Sequence, residues 1–154
     1  MLNESAIKLI KTSEGCKLHA YECATSLSLP ANKKFYTIGW GNTTYEDGSK
    51  VGKNDVITQE RADALFLQLL GTFEAQVNKL VRSPLNENQK GAIVSFAYNC
   101  GIGNLKASTL LRRLNDGDYD VGNEFLKWDK SNGKQLAGLT KRRKAEAELF
   151  SKPV

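Results

Sequence analysis

Apolar residues change their period twice along this chain, and the changes mark out its elements. From Asn3 to Glu14, Ala6, Ile7 and Ile10 fall at helical spacing, and Gly15 supplies a C-terminal stop. From Lys17 the texture differs. The stretches 19–23 and 35–40 are rich in aromatic and β-branched residues and are separated by Ser, Pro, Asn and Gly, which predicts a small antiparallel sheet. After Asp55, the residues Ala62, Leu65, Leu69, Phe73, Val77 and Leu80 step by three and four. That stripe predicts a helix of roughly 30 Å at 1.5 Å per residue, with Thr58 as N-cap and Glu60 in its first turn. Pro84 breaks the pattern. Asn86, with Gln89 three residues on, opens a second helix through Ile93 and Phe96 to Tyr98. Shorter helices are expected at 108–114, 118–128 and 140–150, divided by Gly117 and a loop at 131–138.

These elements describe an α+β protein, one domain over 1–154. A sheet-containing lobe (about 15–57) is entered through helix 3–14 and joined by the long helix to an all-helical lobe (58–154). A cleft between lobes is where a polymer would lie. A chain of 154 residues, 40% hydrophobic and 25% charged, has the composition of an ordinary soluble domain, with no internal repeat or low-complexity segment.

Charge narrows the partners. Lys and Arg number 22 against 17 acidic residues, for a net charge of +5. Many basic residues fall in the last third: Arg112, Arg113, Lys127, Lys130, Lys134 and the run Lys141-Arg142-Arg143-Lys144. Such a surface favours an anionic polymer, and residue by residue it is equally a solvated helix face. Three cysteines (Cys16, Cys23 and Cys100) and one histidine (His19) lack metal-ligand spacing, so neither metal nor cofactor is expected. The odd cysteine count fits a reducing compartment at synthesis. Residues 1–13 contain no signal-peptide core, and no apolar run there is long enough to span a membrane.

Glu14 is the first candidate for chemistry. It stands just before the stop at Gly15, beside the negative end of the helix dipole, where the field disfavours ionisation. A carboxylic acid that keeps its proton is what glycoside hydrolysis needs for the leaving oxygen. On composition alone a solvated surface glutamate is the better reading, because most glutamates lie at the surface. Glu22 is the nearest other carboxylate, but neighbouring strand residues face opposite sides, so Glu22 and Cys23 cannot share the cleft face.

The stretch Glu14-Gly15, Ala20-Tyr21 and Tyr36-Thr37-Ile38-Gly39-Trp40-Gly41 resembles the active-site region of phage-type lysozymes, glycoside hydrolase family 24. In that family a glutamate is followed after eight residues by aspartate or cysteine, and usually five residues later by threonine. Glu14, Cys23 and Thr37 match the cysteine-bearing form. Further segments are similar to the family's in the right order, namely 85–89, 95–99, 108–111, 115–119, 138–139 and 142–143, so the likeness runs from Glu14 to about Phe150. There are two departures. Thirteen residues, not five, separate Cys23 from Thr37, an insertion within 24–36 whose apolar tip carries Leu27, Leu29 and Pro30. Asn42 stands where the family commonly has histidine.

The resemblance implies a lysozyme-like fold and an endolysin-type muramidase that cuts the β-1,4 bond between N-acetylmuramic acid and N-acetylglucosamine, with inversion. Glu14 is the implied acid, while Cys23 and Thr37 hold the attacking water. Implied substrate contacts are Asn42, Tyr98, Asn99 and Arg142. A thiol with a reference pKa of about 8.5 is a poor general base, so Cys23 is expected to act as a water-holder. Packing is its alternative, and the role expected of Cys16 and Cys100. The implied partner is peptidoglycan, with no nucleic acid and no stable membrane insertion. The implied enzyme is a monomer that waits in the host cytoplasm until a separate holin opens the membrane. Two other functions remain: a wall-binding protein without activity, and a basic nucleic-acid module suggested by Phe125, Trp128 and Phe150 but lacking any known binding signature.

Overall fold

The computed structural model describes residues 2–23, 35–131 and 133–154. Most of the 24–36 insertion, with Leu27, Leu29 and Pro30, therefore lies outside the described residues, as do the side chains of Cys23 and Phe35. Helix α1 (Glu4–Glu14) is capped by the Asn3 side chain, which accepts from the Ala6 amide at 3.0 Å. It ends at Gly15 in the left-handed region, φ +70°. Strands β1 (Lys17–Cys23) and β2 (Phe35–Gly39) pair antiparallel, with Tyr21 opposite Thr37 and Cys23 opposite Phe35. The free edge of β1 is taken up by the segment before the long helix: the Ala20 amide donates to the Asp55 carbonyl at 2.8 Å, and the Ile57 amide to the Leu18 carbonyl at 2.9 Å.

Helix α2 (Gln59–Leu80) starts where expected, with the Thr58 hydroxyl accepting from the Arg61 amide. It serves two cores. Ala62 and Leu65 pack with Ile38, Val51 and Ile57 in the small lobe. Phe66, Leu70 and Val77 belong to the large core with α1 and α3 (Glu87–Cys100). The buried face is accordingly wider than the expected stripe, in which Leu69, Phe73 and Leu80 are only half-buried. Trp40 packs against both clusters.

Helix α3 opens with the reciprocal cap expected of Asn86 and Gln89 and is buried nearly all round. Gly91 lets α1 cross it closely, since a Cβ there would sit 2.5 Å from the Ala6 Cβ. The remaining elements are α4 (Ile102–Ala107), α5 (Thr109–Asn115), α6 (Gly122–Leu126), the hairpin β3 (Lys130–Ser131) and β4 (Lys134–Gln135), and α7 (Ala137–Ser151).

Three expectations need correction. Helix α4 was not anticipated. The helix expected at 118–128 is only α6, because Arg113 gathers Asp118, the Asp120 carbonyl and Glu124 around itself and shapes 118–121 into a loop. The expected 131–138 loop contains a hairpin and the first turn of α7, tied together by Asp129, which accepts from Gln135 at 2.8 Å and Thr140 at 2.9 Å. Among the described residues no helix is long and apolar enough to cross a membrane.

Candidate active site

Glu14 stands at the seam of the two lobes. It is the last residue of α1, so the tight packing of α1 on α3 fixes its backbone. Its side chain is 17% exposed and meets the small lobe on one side and the helical lobe on the other. The small-lobe contact is the turn 39–41. Ile38 and Asn42 exchange both backbone hydrogen bonds at 2.9 Å, closing a tight loop in which Gly39 and Gly41 take φ +65° and +91°. A Cβ on Gly41 would lie 2.6 Å from Glu14 Oε1, so any other residue there would push the carboxylate out of this position. The helical-lobe contact is Arg142 on α7, whose Nη1 donates to Glu14 Oε2. A guanidinium thus stands where the helix end alone would present only its negative pole.

Arg142 and Arg143 are buried, at 6% and 0% exposure, so the basic run 141–144 is not the continuous surface that composition suggested. Arg142 spends its donors inside the protein: Nε on Glu146 at 3.3 Å, Nη2 on the Ser95 carbonyl at 3.1 Å, and Nη1 on Glu14. Asn99 accepts from Arg143 Nη2. The Tyr98 hydroxyl donates to the Trp40 carbonyl at 2.5 Å and so ties α3 to the glycine turn. Burial and the nearby Glu14 charge push its phenol pKa far up, keeping it a donor. Asn42 is buried too, with Nδ2 on the Leu65 carbonyl at 3.3 Å, which anchors the turn to α2.

Thr37 is 4% exposed, and no group among the described residues bonds its Oγ1. Directly paired residues send their side chains to one face, so Thr37 and Tyr21 share a side of the sheet. Ile38, the residue after Thr37, turns the other way into the small-lobe core. The backbone of Cys23 lies two residues further along β1. Cys100 is buried, its thiol pushed up to about 12 by burial, whereas Cys16 is only half-buried beside Gln59.

A groove of about 800 Å³ between α1 and the start of α7 ends on Glu14, with Lys8, Asn99, Leu136 and Lys141 among its walls. The sequence reading missed Glu146 and Ser95, which hold Arg142 in place. The signal that could have found Glu146 was its spacing, three and four residues beyond two adjacent arginines on one helix.

Two lobes sharing one long helix, with a helix-end glutamate at their seam, are the architecture of a lysozyme-like protein. The phage lysozyme family matches residues 11–146. The endolysin of Acyrthosiphon pisum secondary endosymbiont phage 1 is 39% identical over 97% of both chains. That of Bacillus phage B103 is 42% identical over 97% of this chain, which spans only 53% of that relative's length. Among solved structures, the muramidase domain of SpmX from Asticaccaulis excentricus superposes with a TM-score of 0.81 at 32% identity, over 99% of each chain. The chain belongs to the phage lysozyme family.

Proposed function

We propose that this protein is an endolysin-type muramidase that hydrolyses the β-1,4 bond between N-acetylmuramic acid and N-acetylglucosamine in peptidoglycan. The observation that carries the reading is Glu14 held at the seam between the Gly41 turn and Arg142. Glu14 protonates the leaving glycosidic oxygen as the bond breaks, a contribution of about 10²–10⁴ for a positioned general acid. Thr37 and Cys23, on the facing strands, orient a water that attacks the anomeric carbon from the opposite side, giving inverted product. Support for Thr37 comes from its buried hydroxyl, which no described group bonds. Tyr98, Asn42 and Arg142 serve the substrate indirectly, by fixing the turn and the acid. Asn99 and the groove beside Glu14 receive the polymer on the helical-lobe side. The enzyme acts as a monomer, without cofactor, and reaches the wall through a membrane lesion made by a separate holin.

The test is Glu14→Gln, which removes the proton and nearly keeps the shape. Purified sacculi are digested, new reducing ends counted and the fragments weighed. Wild type should release muropeptide fragments ending in N-acetylmuramic acid, and the variant less than a few per cent of that amount with an unchanged fold. A variant that works at near wild-type rate would exclude Glu14 as the acid. Wall binding by the wild type without new reducing ends would favour the inactive wall-binding protein instead.

A further inference from the structure

The cluster behind Glu14 contains more charge than the reaction uses. Glu146 is wholly buried and accepts from Ser95 Oγ at 2.6 Å, from Arg142 Nε at 3.3 Å and from Arg143 Nη1. Arg143 is fixed in turn by Asn99 and lies 5.2 Å from the Phe96 ring centroid. Burial pushes the Glu146 carboxyl up, while Arg143, Arg142 and the Ser95 hydroxyl pull it back toward the anion. With Glu146 and Glu14 both ionised, two guanidiniums meet two carboxylates and the cluster is neutral. With Glu14 protonated it carries one positive charge. Buried ion pairs add little stability over apolar residues of the same volume. The consequence of this set is therefore the potential it creates at Glu14.

We propose that Glu146 is a positioning residue for the acid. It takes Arg142 Nε, so that Nη1 faces Glu14, and its negative charge offsets Arg143. Without it Glu14 would face two cations and one fewer anion, a field that favours the carboxylate and withholds the proton from the leaving oxygen. The inference rests on the reading of Glu14 as general acid.

Lys8 on α1 and Lys141 on α7 line the groove beside Glu14 and add positive charge that is the same in every variant compared, so they do not change the difference that Glu146 makes. Helix α3 contributes Ser95, Asn99, Tyr98 and Cys100, and burial keeps the last two neutral at ordinary pH. From α1, Lys11 is turned to the Trp40 and Phe66 rings, 4.9 and 5.2 Å away. From α6 comes apolar Phe125, while Glu124 is paired with Arg113 and Lys127. Tyr21 on β1 approaches through Tyr98.

The experiment is the pH profile of kcat/KM, read as reducing ends from solubilised peptidoglycan, for variants with wild-type circular dichroism. Glu146→Gln should move the alkaline limb, where the acid loses its proton, down by about one pH unit. Arg143→Gln should move it up by a similar amount, and the double variant should return it toward wild type. A purely structural role would lower rates without opposite movements of that limb. Limbs that stay put, or that move the same way in both single variants, overturn the proposal. If Glu146→Gln does not fold, Arg143→Gln decides alone, and an unmoved or lowered limb refutes it. An inactive wild type, or an active Glu14→Gln, would remove the acid reading itself. An active wild type with an inactive Glu14→Gln and unmoved limbs removes only the role of Glu146.

Discussion

Gly41→Ala tests how closely the glycine turn places the acid. Two effects separate cleanly. The backbone at φ +91° lies in the left-handed region, where a side chain costs about 1–2 kcal/mol. At 154 residues that lowers Tm by roughly 2–8 °C. The new Cβ would also lie 2.6 Å from Glu14 Oε1, against ordinary contact from 3.4 Å, so the carboxylate must retreat by several tenths of an ångström. The end of a side chain gives way at little cost in stability. A reacting group misplaced by about 1 Å, however, loses on the order of 10²-fold in rate. Gly48→Ala is the control: its φ is +84° and nothing lies within 4 Å of the new Cβ. Both variants should lose similar stability in thermal melts, and only Gly41→Ala should lose about 10²-fold in wall clearing at a temperature where each is fully folded. Clearing by Gly41→Ala within about threefold of Gly48→Ala would show that this contact does not position the acid.

Thr37→Val replaces a buried hydroxyl that no described group bonds with a methyl of the same shape, so melts should move by less than about 1 kcal/mol while the rate of reducing-end release drops at least tenfold. Unchanged activity there would leave Thr37 as a strand-former only. Cys23→Asp should keep substantial activity and Cys23→Ala much less, with inverted product measured by NMR in every active form. Retained configuration, or a thioglycosyl adduct seen by mass spectrometry, would replace the water-holder by a nucleophile. A small thiol reagent should inhibit the parent and spare Cys23→Asp, and because Cys16 is half-buried both are compared in a Cys16→Ser background.

Local signals were the legible ones. Gly15, Thr58 and the Asn86–Gln89 pair act within three or four residues, and each marks the helix end that its chemistry specifies. The period of α2 was legible but its inner face was not, because one helix supplies two cores in different directions. What escaped was decided by partners distant in sequence. Arg113 reshapes 118–121, Asp129 starts α7 early, and Glu14, 128 residues from Arg142, draws a residue from a supposed basic surface into the interior. Glu14 itself could be singled out because its position at a helix end is local, and the motif around it ordered Cys23 and Thr37. Its supporting charges required the fold.

The hydrogen bond from Tyr98 to the Trp40 carbonyl and the contact of Gly41 with Glu14 meet at one turn. That turn joins the two lobes beside the acid. The proton donor rides with the helical lobe, and Thr37 rides with the sheet. Any displacement of one lobe against the other that kept the Tyr98 bond would change the cleft most far from the turn and least at Glu14. The contact that ties the lobes together is thus also the one beside the proton donor, whose aim is the part of the cleft least sensitive to how far apart the lobes stand elsewhere.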